Sequence, residues 1–157
     1  MAKFSTLLFL QLLSFISFLS TTDADYNVLH FGAKSDGRTD SAQSFLRAWT
    51  AACSSSHPAT IQVPSGKFLI SQVKFNGPCR NTGIKFLISG VIIAPSIYAR
   101  RGDKSNWIEF DEVDGVSIDG GIFDGQGAPV WNCKLRGHNC PNGATVCTTE
   151  SVLGLIR

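Results

Sequence analysis

The chain has 157 residues, 43% of them hydrophobic, with 14 Lys and Arg against 12 Asp and Glu for a net charge of +2. That length suits one domain with a real core, and the composition excludes a disordered chain. The near balance of charge, with no basic stripe, excludes a nucleic-acid-binding signature.

Residues 1–24 read as a secretory leader. Lys3 supplies the positive start, Leu7 to Leu19 is apolar apart from Gln11, Ser14 and Ser17, and Thr22-Asp23-Ala24 ends on a small residue. The apolar run is short and no basic stop comes after it, so cleavage after Ala24 is expected rather than a membrane anchor. All five cysteines (Cys53, Cys79, Cys133, Cys140, Cys147) lie beyond this leader and so enter an oxidising compartment. Disulfides are the leading reading: Cys133 with Cys140 closes a short loop, Cys53 with Cys79 ties an early helix to the first coils of the chain, and Cys147 is left over. Zinc at Cys133, His138, Cys140 and Cys147 is disfavoured because no Cys-x-x-Cys knuckle is present.

Tyr26 to Phe31 alternates like a short strand, ended by Gly32 and a turn at Ser35-Asp36-Gly37. An amphipathic helix is expected over Asp40 to Cys53. Asp40 is its candidate N-cap with Gln43 as capping-box partner, and Ala42, Phe45, Leu46, Trp49, Ala52 and Cys53 form the apolar face. Ser54 to Pro58 breaks it.

From Ala59 the chain repeats. Ala59 to Phe75, Thr82 to Pro95 and the run from Asn106 share a rhythm, and Ile61, Ile84 and Trp107 fall at equal intervals of 23 residues. The clearest stretch is Trp107 to Gly127. Ile108 and Phe110, Val116 and Ile118, then Ile122 with Phe123 next to it provide inward faces, while Asp114-Gly115, Asp119-Gly120-Gly121 and Asp124-Gly125 provide corners. Strands this short with a corner after each suit a solenoid. The Leu-x-x-Leu-x-Leu spacing of a leucine-rich repeat is missing. The expected fold is therefore all-β, a right-handed parallel β-helix, with the helix covering its N-terminal end. Past Gly127 the texture is loop-like to Gly143, and Ser151 to Ile156 looks like the start of another strand with no polar cap behind it.

Several stretches together resemble one family. They are Tyr26-Asn27-Val28, Phe31-Gly32-Ala33-Lys34, Asp36-Gly37-Arg38-Thr39-Asp40-Ser41 leading to Phe45, Pro64 to Leu69, Gly77-Pro78-Cys79, and Gly120-Gly121-Ile122-Phe123-Asp124-Gly125-Gln126-Gly127 followed by Trp131. This pattern is similar to the plant-type polygalacturonases, glycoside hydrolases with a right-handed β-helix, over essentially the whole chain after residue 24. The resemblance implies inverting hydrolysis of α-1,4 bonds in pectin, an acidic polysaccharide partner, secretion to the cell wall and no cofactor. In inverting glycosidases one carboxylic acid protonates the leaving oxygen while a second carboxylate activates water.

The family carries these acids in an Asn-Thr-Asp motif and an Asp-Asp pair, supported by Gly-His-Gly and Arg-Ile-Lys motifs in later coils. None of the four occurs here. The chain thus reads as the N-terminal coils alone, with no catalytic, cofactor or metal residue to assign. Asn81-Thr82-Gly83 lacks the aspartate, and Gly137-His138-Asn139 lies in the cysteine loop. Asp111 and Glu112 are adjacent on a strand, so their side chains point to opposite faces. Two other readings stay open: a non-catalytic module holding pectin through Arg100, Arg101 and Lys104, and a truncated product without function.

Overall fold

The computed structural model describes residues 24–96 and 106–128, together with Asn132 and Leu135. Eight strands and one helix come in this order: β1 (Ala24–Asn27), β2 (Asp36–Asp40), α1 (Ala42–Ser54), β3 (Ala59–Val63), β4 (Lys67–Leu69), β5 (Val73–Asn76), β6 (Ile84–Ile93), β7 (Ile108–Asp111) and β8 (Val116–Asp124). Every strand pairing among them is parallel. Parallel neighbours cannot be joined by a tight hairpin, so the chain must travel round a circuit between them.

That circuit has three walls. β1, β3, Ile84–Ile88 of β6 and Val116–Gly120 of β8 form the first. β2, β4, Val91–Ile93 and Ile122–Asp124 form the second, so β6 and β8 each run through two walls. β5 and β7 form the third. The architecture is the expected all-β parallel β-helix, seen here in its N-terminal coils. In the first coil α1 takes the place that a third-wall strand holds in later coils, and its buried face of Ala42, Ser44, Phe45, Ala48, Trp49 and Ala52 packs into the coil interior.

Inward residues stack in columns from coil to coil. Ile61 lies beside Phe86 and then Ile118, Phe68 beside Ile92 and then Phe123, and Phe75 beside Phe110. The Phe75 and Phe110 rings stack at 5.0 Å between centroids, Trp49 stacks on Phe86 at 6.0 Å, and Phe45 meets Phe68 edge-on at 5.9 Å. Two indole N–H groups in this apolar interior keep partners: Trp49 donates to the Asn76 carbonyl and Trp107 to the Ile70 carbonyl, both at 2.9 Å.

Five expectations are corrected in detail. The register places Ile61 beside Phe86 rather than Ile84, and Trp107 belongs to the approach to the third wall, so the equal 23-residue interval does not hold. Ala59 pairs with Ile84 and Ile84 with Val116, intervals of 25 and 32 residues. A period-two apolar pattern still matches itself after a slip of two residues, and loops of unequal length separate the coils. The first strand stops at Asn27, whose side chain accepts from Leu29 N–H and starts a 3-10 turn over Val28–Phe31. The turn expected at Asp36-Gly37 is a bulge inside β2, where Asp36 Oδ1 accepts from the Arg38 and Thr39 amides, each at 2.8 Å.

The helix begins two residues late, and its N-cap position is Ser41, whose side chain makes no capping bond. Asp40 instead accepts from Ala42 N–H at 3.0 Å and from Ser71 N–H at 3.1 Å, so one carboxylate joins the helix start to the second coil. Finally, Phe123 and not Ile122 faces inward in the second wall, since Ile122 pairs with Val91 and is 62% exposed. The cause is the corner. Ser89 and Gly90 on β6 oppose the single residue Gly121 on β8, and this bulge resets the inward phase. Gly121 has φ +77, and a Cβ there would lie 2.4 Å from Ile88 Cγ2; at Gly115, with φ +72, a Cβ would lie 1.7 Å from the Thr82 carbonyl oxygen. Both corners require glycine.

The expected Cys53–Cys79 disulfide is present, with Cα atoms 4.6 Å apart. The Cys133 and Cys140 pairing, Cys147 and the leader up to Asp23 lie outside the described residues. Among the described residues no helix is long and apolar enough to cross a membrane.

Candidate functional site

Carboxylates are the groups with chemistry to offer. On β7, Glu109 and Asp111 share one face at i and i+2, and both reach Lys74 on β5, at 3.4 and 2.9 Å. The register explains this, because Lys74 stands beside Glu109 on the outer face of the third wall. The hydrogen bond that the Lys74 ammonium donates to Asp111 raises its pKa above the usual value; desolvation opposes this, and the bond donated to Glu109 adds to the rise. Glu112 leaves the strand in a left-handed conformation, φ 52, with its carbonyl directly against Gly77. Asp111 is the last residue of β7 and Glu112 lies past it, so the alternation expected of two adjacent strand residues does not apply to them.

Asp119, on the outer face of the first wall, pairs with Lys85 at 2.9 Å. Asp124 ends β8 and accepts from Gln126 N–H at 2.9 Å. Asp36 is held down to about 2 by the Thr39 amide, then the Arg38 amide and the Thr39 hydroxyl. For Asp40, burial pushes the pKa up, but the Ala42 amide and the Ser71 side chain and amide outweigh it, and the net shift is downward. Asp36 and Asp40 are thus held ionised by amide and side-chain donors. A general acid needs the opposite, a carboxyl whose pKa is raised.

Asn81, the near miss to an Asn-Thr-Asp motif, has a structural role. Its Nδ2 donates to the Ala52 and Ser55 carbonyls, each at 3.0 Å, and its Oδ1 accepts from Gly83 N–H. With the Arg80 amide on the Cys53 carbonyl, it gives partners to carbonyls at the C-terminal end of α1, where the Ala52 carbonyl also accepts from Ser55 N–H. This role was missed in the sequence, where the only signal was its position two residues after Cys79. The interior hollow, lined by Phe75, Phe86, Phe110, Ile118 and Phe123 among others, is wholly apolar and belongs to the core. Among the described residues no group of three or more His, Cys, Asp and Glu is arranged to hold a metal ion. Arg100, Arg101, Lys104 and His138 lie outside the described residues.

A parallel coil with a helix at its start defines the class, a parallel β-helix. Residues 53–152 match the model of the glycosyl hydrolases family 28, and residues 26–76 match that of rhamnogalacturonase A/epimerase, pectate lyase-like proteins. The chain belongs to the glycosyl hydrolases family 28. It is 52% identical over 121 residues to a polygalacturonase of Prunus persica, covering 76% of this chain and 31% of that protein. To the polygalacturonase ADPG1 of Arabidopsis thaliana it is 36% identical over 154 residues, covering 92% and 36%. Among solved structures, a hyperthermoactive exopolygalacturonase from Thermotoga maritima aligns with TM-score 0.58 at 24% identity, over 87% of this chain and 33% of that one, and shares its fold. The chain spans about a third of the length of the curated relatives it matches.

Proposed function

We propose that this chain is the N-terminal portion of a secreted polygalacturonase, residues 1–24 being its leader and residues 25–157 part of its β-helix domain. The whole protein's activity would be inverting hydrolysis of α-1,4-galacturonosyl bonds in cell-wall pectin. The observation that carries this reading is the 52% identity to the peach polygalacturonase across 121 residues.

By itself the 157-residue chain does not cleave the polymer. Its sequence contains no Asn-Thr-Asp, Asp-Asp, Gly-His-Gly or Arg-Ile-Lys motif. Asp111 and Asp119 are engaged by Lys74 and Lys85 on different walls, so they are not placed to act on opposite sides of one glycosidic bond. The test is release of reducing ends from polygalacturonate by the purified chain after size-exclusion has shown a folded species. No release above a blank is expected. Sustained release that disappears on substituting Asp111, Glu112, Asp119 or Asp124 would overturn the reading of this segment as non-catalytic.

A further inference from the structure

The peptide unit between Asn76 and Gly77 is shared by two contacts. Its carbonyl accepts the Trp49 indole N–H at 2.9 Å and so holds α1, while its N–H donates to the Asp111 carbonyl at 2.8 Å and closes the end of the β5–β7 ladder. The Asn76 side chain stands exposed on the outer face of the third wall. The residue after it has to be glycine, because a Cβ at position 77 would run into the Glu112 carbonyl. Packing therefore places the least hindered kind of backbone nitrogen directly after an exposed carboxamide.

We infer that Asn76 is a site of spontaneous deamidation, gated by the β5–β7 ladder, and that its product unfastens α1. In this reaction the Gly77 nitrogen attacks Asn76 Cγ, the new N–Cγ bond replaces Cγ–Nδ2, and ammonia leaves with the Gly77 proton. Water then opens the succinimide at either carbonyl, giving aspartate or isoaspartate. The nucleophile is the nitrogen whose N–H is bonded to Asp111, and ring closure requires residue 76 to leave the extended backbone of a strand. Both conditions are met only when this end of the ladder opens, so the rate follows the open population. An isoaspartate routes the main chain through Cβ and Cγ and takes the acceptor of the Trp49 indole out of it. The Asp-Gly pairs at the corners offer ionised carboxylates, poorer electrophiles than an amide, and react more slowly.

The test is peptide mapping by mass spectrometry of the full chain held in mildly alkaline buffer, with isoaspartate read by enzymatic methyl labelling. Asn142-Gly143, the second Asn-Gly pair of the sequence, calibrates the rate of an open chain in denaturant. In the folded chain Asn76 should react about tenfold or more slowly than in denaturant, and Phe110→Ala, which loosens the third wall, should recover part of the difference. Should Phe110→Ala fail to fold, Ile108→Val makes the milder opening. A folded rate equal to that in denaturant, or one that neither variant raises, would overturn the gating. The fraction carrying isoaspartate at position 76 is then compared with the unmodified chain by hydrogen exchange, where its α1 amides should exchange about tenfold faster or more. Unchanged protection of α1 in that fraction overturns the coupling.

Discussion

Phe86 and Ile118 occupy the same inward column one coil apart, as do Ile92 and Phe123, yet their surroundings differ sharply. Phe86 and Ile92 are 4% and 3% exposed, while Ile118 and Phe123 are each 42% exposed. The N-terminal side of the column is covered by α1, which adds Trp49 and Phe45 to the interior; on β8 no described residue provides the equivalent layer. In a solenoid, burial is a property of the neighbouring coil rather than of the residue's own pattern. Two side chains with one periodicity can thus contribute very different amounts to stability.

The strongest way to break this comparison is truncation of one inward phenylalanine in each coil. Phe86→Ala should cost about 3–5 kcal/mol by chemical denaturation, and Phe123→Ala about half of that or less, since roughly half of its ring is already in water. Equal losses would mean that the two coils are packed alike. A smaller effect is expected from unfastening the closed end. Cys53→Ala removes a bridge across 26 residues and should lower stability by about 2–3 kcal/mol, together with increased binding of a hydrophobic dye as α1 loosens. A melt unchanged from the parent would show that packing alone holds the helix in place.

Asn81→Ala should cost about 1–2 kcal/mol, because it removes the donor to the Ser55 carbonyl at the C-cap and one of the two donors to the Ala52 carbonyl. Asn81→Asp sharpens the same point: a carboxylate cannot donate, so it should not rescue the alanine variant.

The smallest effect is electrostatic. The Asp36 pKa is lowered from 3.8 to about 2, so its contribution is fully present above pH 4 and disappears as pH falls towards 2. Stability curves of the parent and Asp36→Asn should accordingly converge over that window. Curves that stay parallel would show that the β2 bulge does not depend on the charge.

The alternation of apolar residues, the Asp-Gly corners and the shortness of the strands between them were enough to read a parallel coil with a helix at its start. Such features depend on backbone preferences acting over a few residues. Composition and cysteine placement likewise indicated the Cys53–Cys79 bridge, since an oxidising compartment and a helix end near the first coil leave few partners.

Only the tertiary structure decided the register of coils at 25 and 32 residues, the inward turn of Phe123 in place of Ile122, the joint hold of Asp40 on Ala42 and Ser71, and the use of Asn81 to close α1. Each of these brings together groups separated by a full circuit or by a corner. A pattern of period two is unchanged by an even slip, and one inserted residue at a bulge reverses the facing of everything after it, so hydrogen bonding and packing between coils had to select the register.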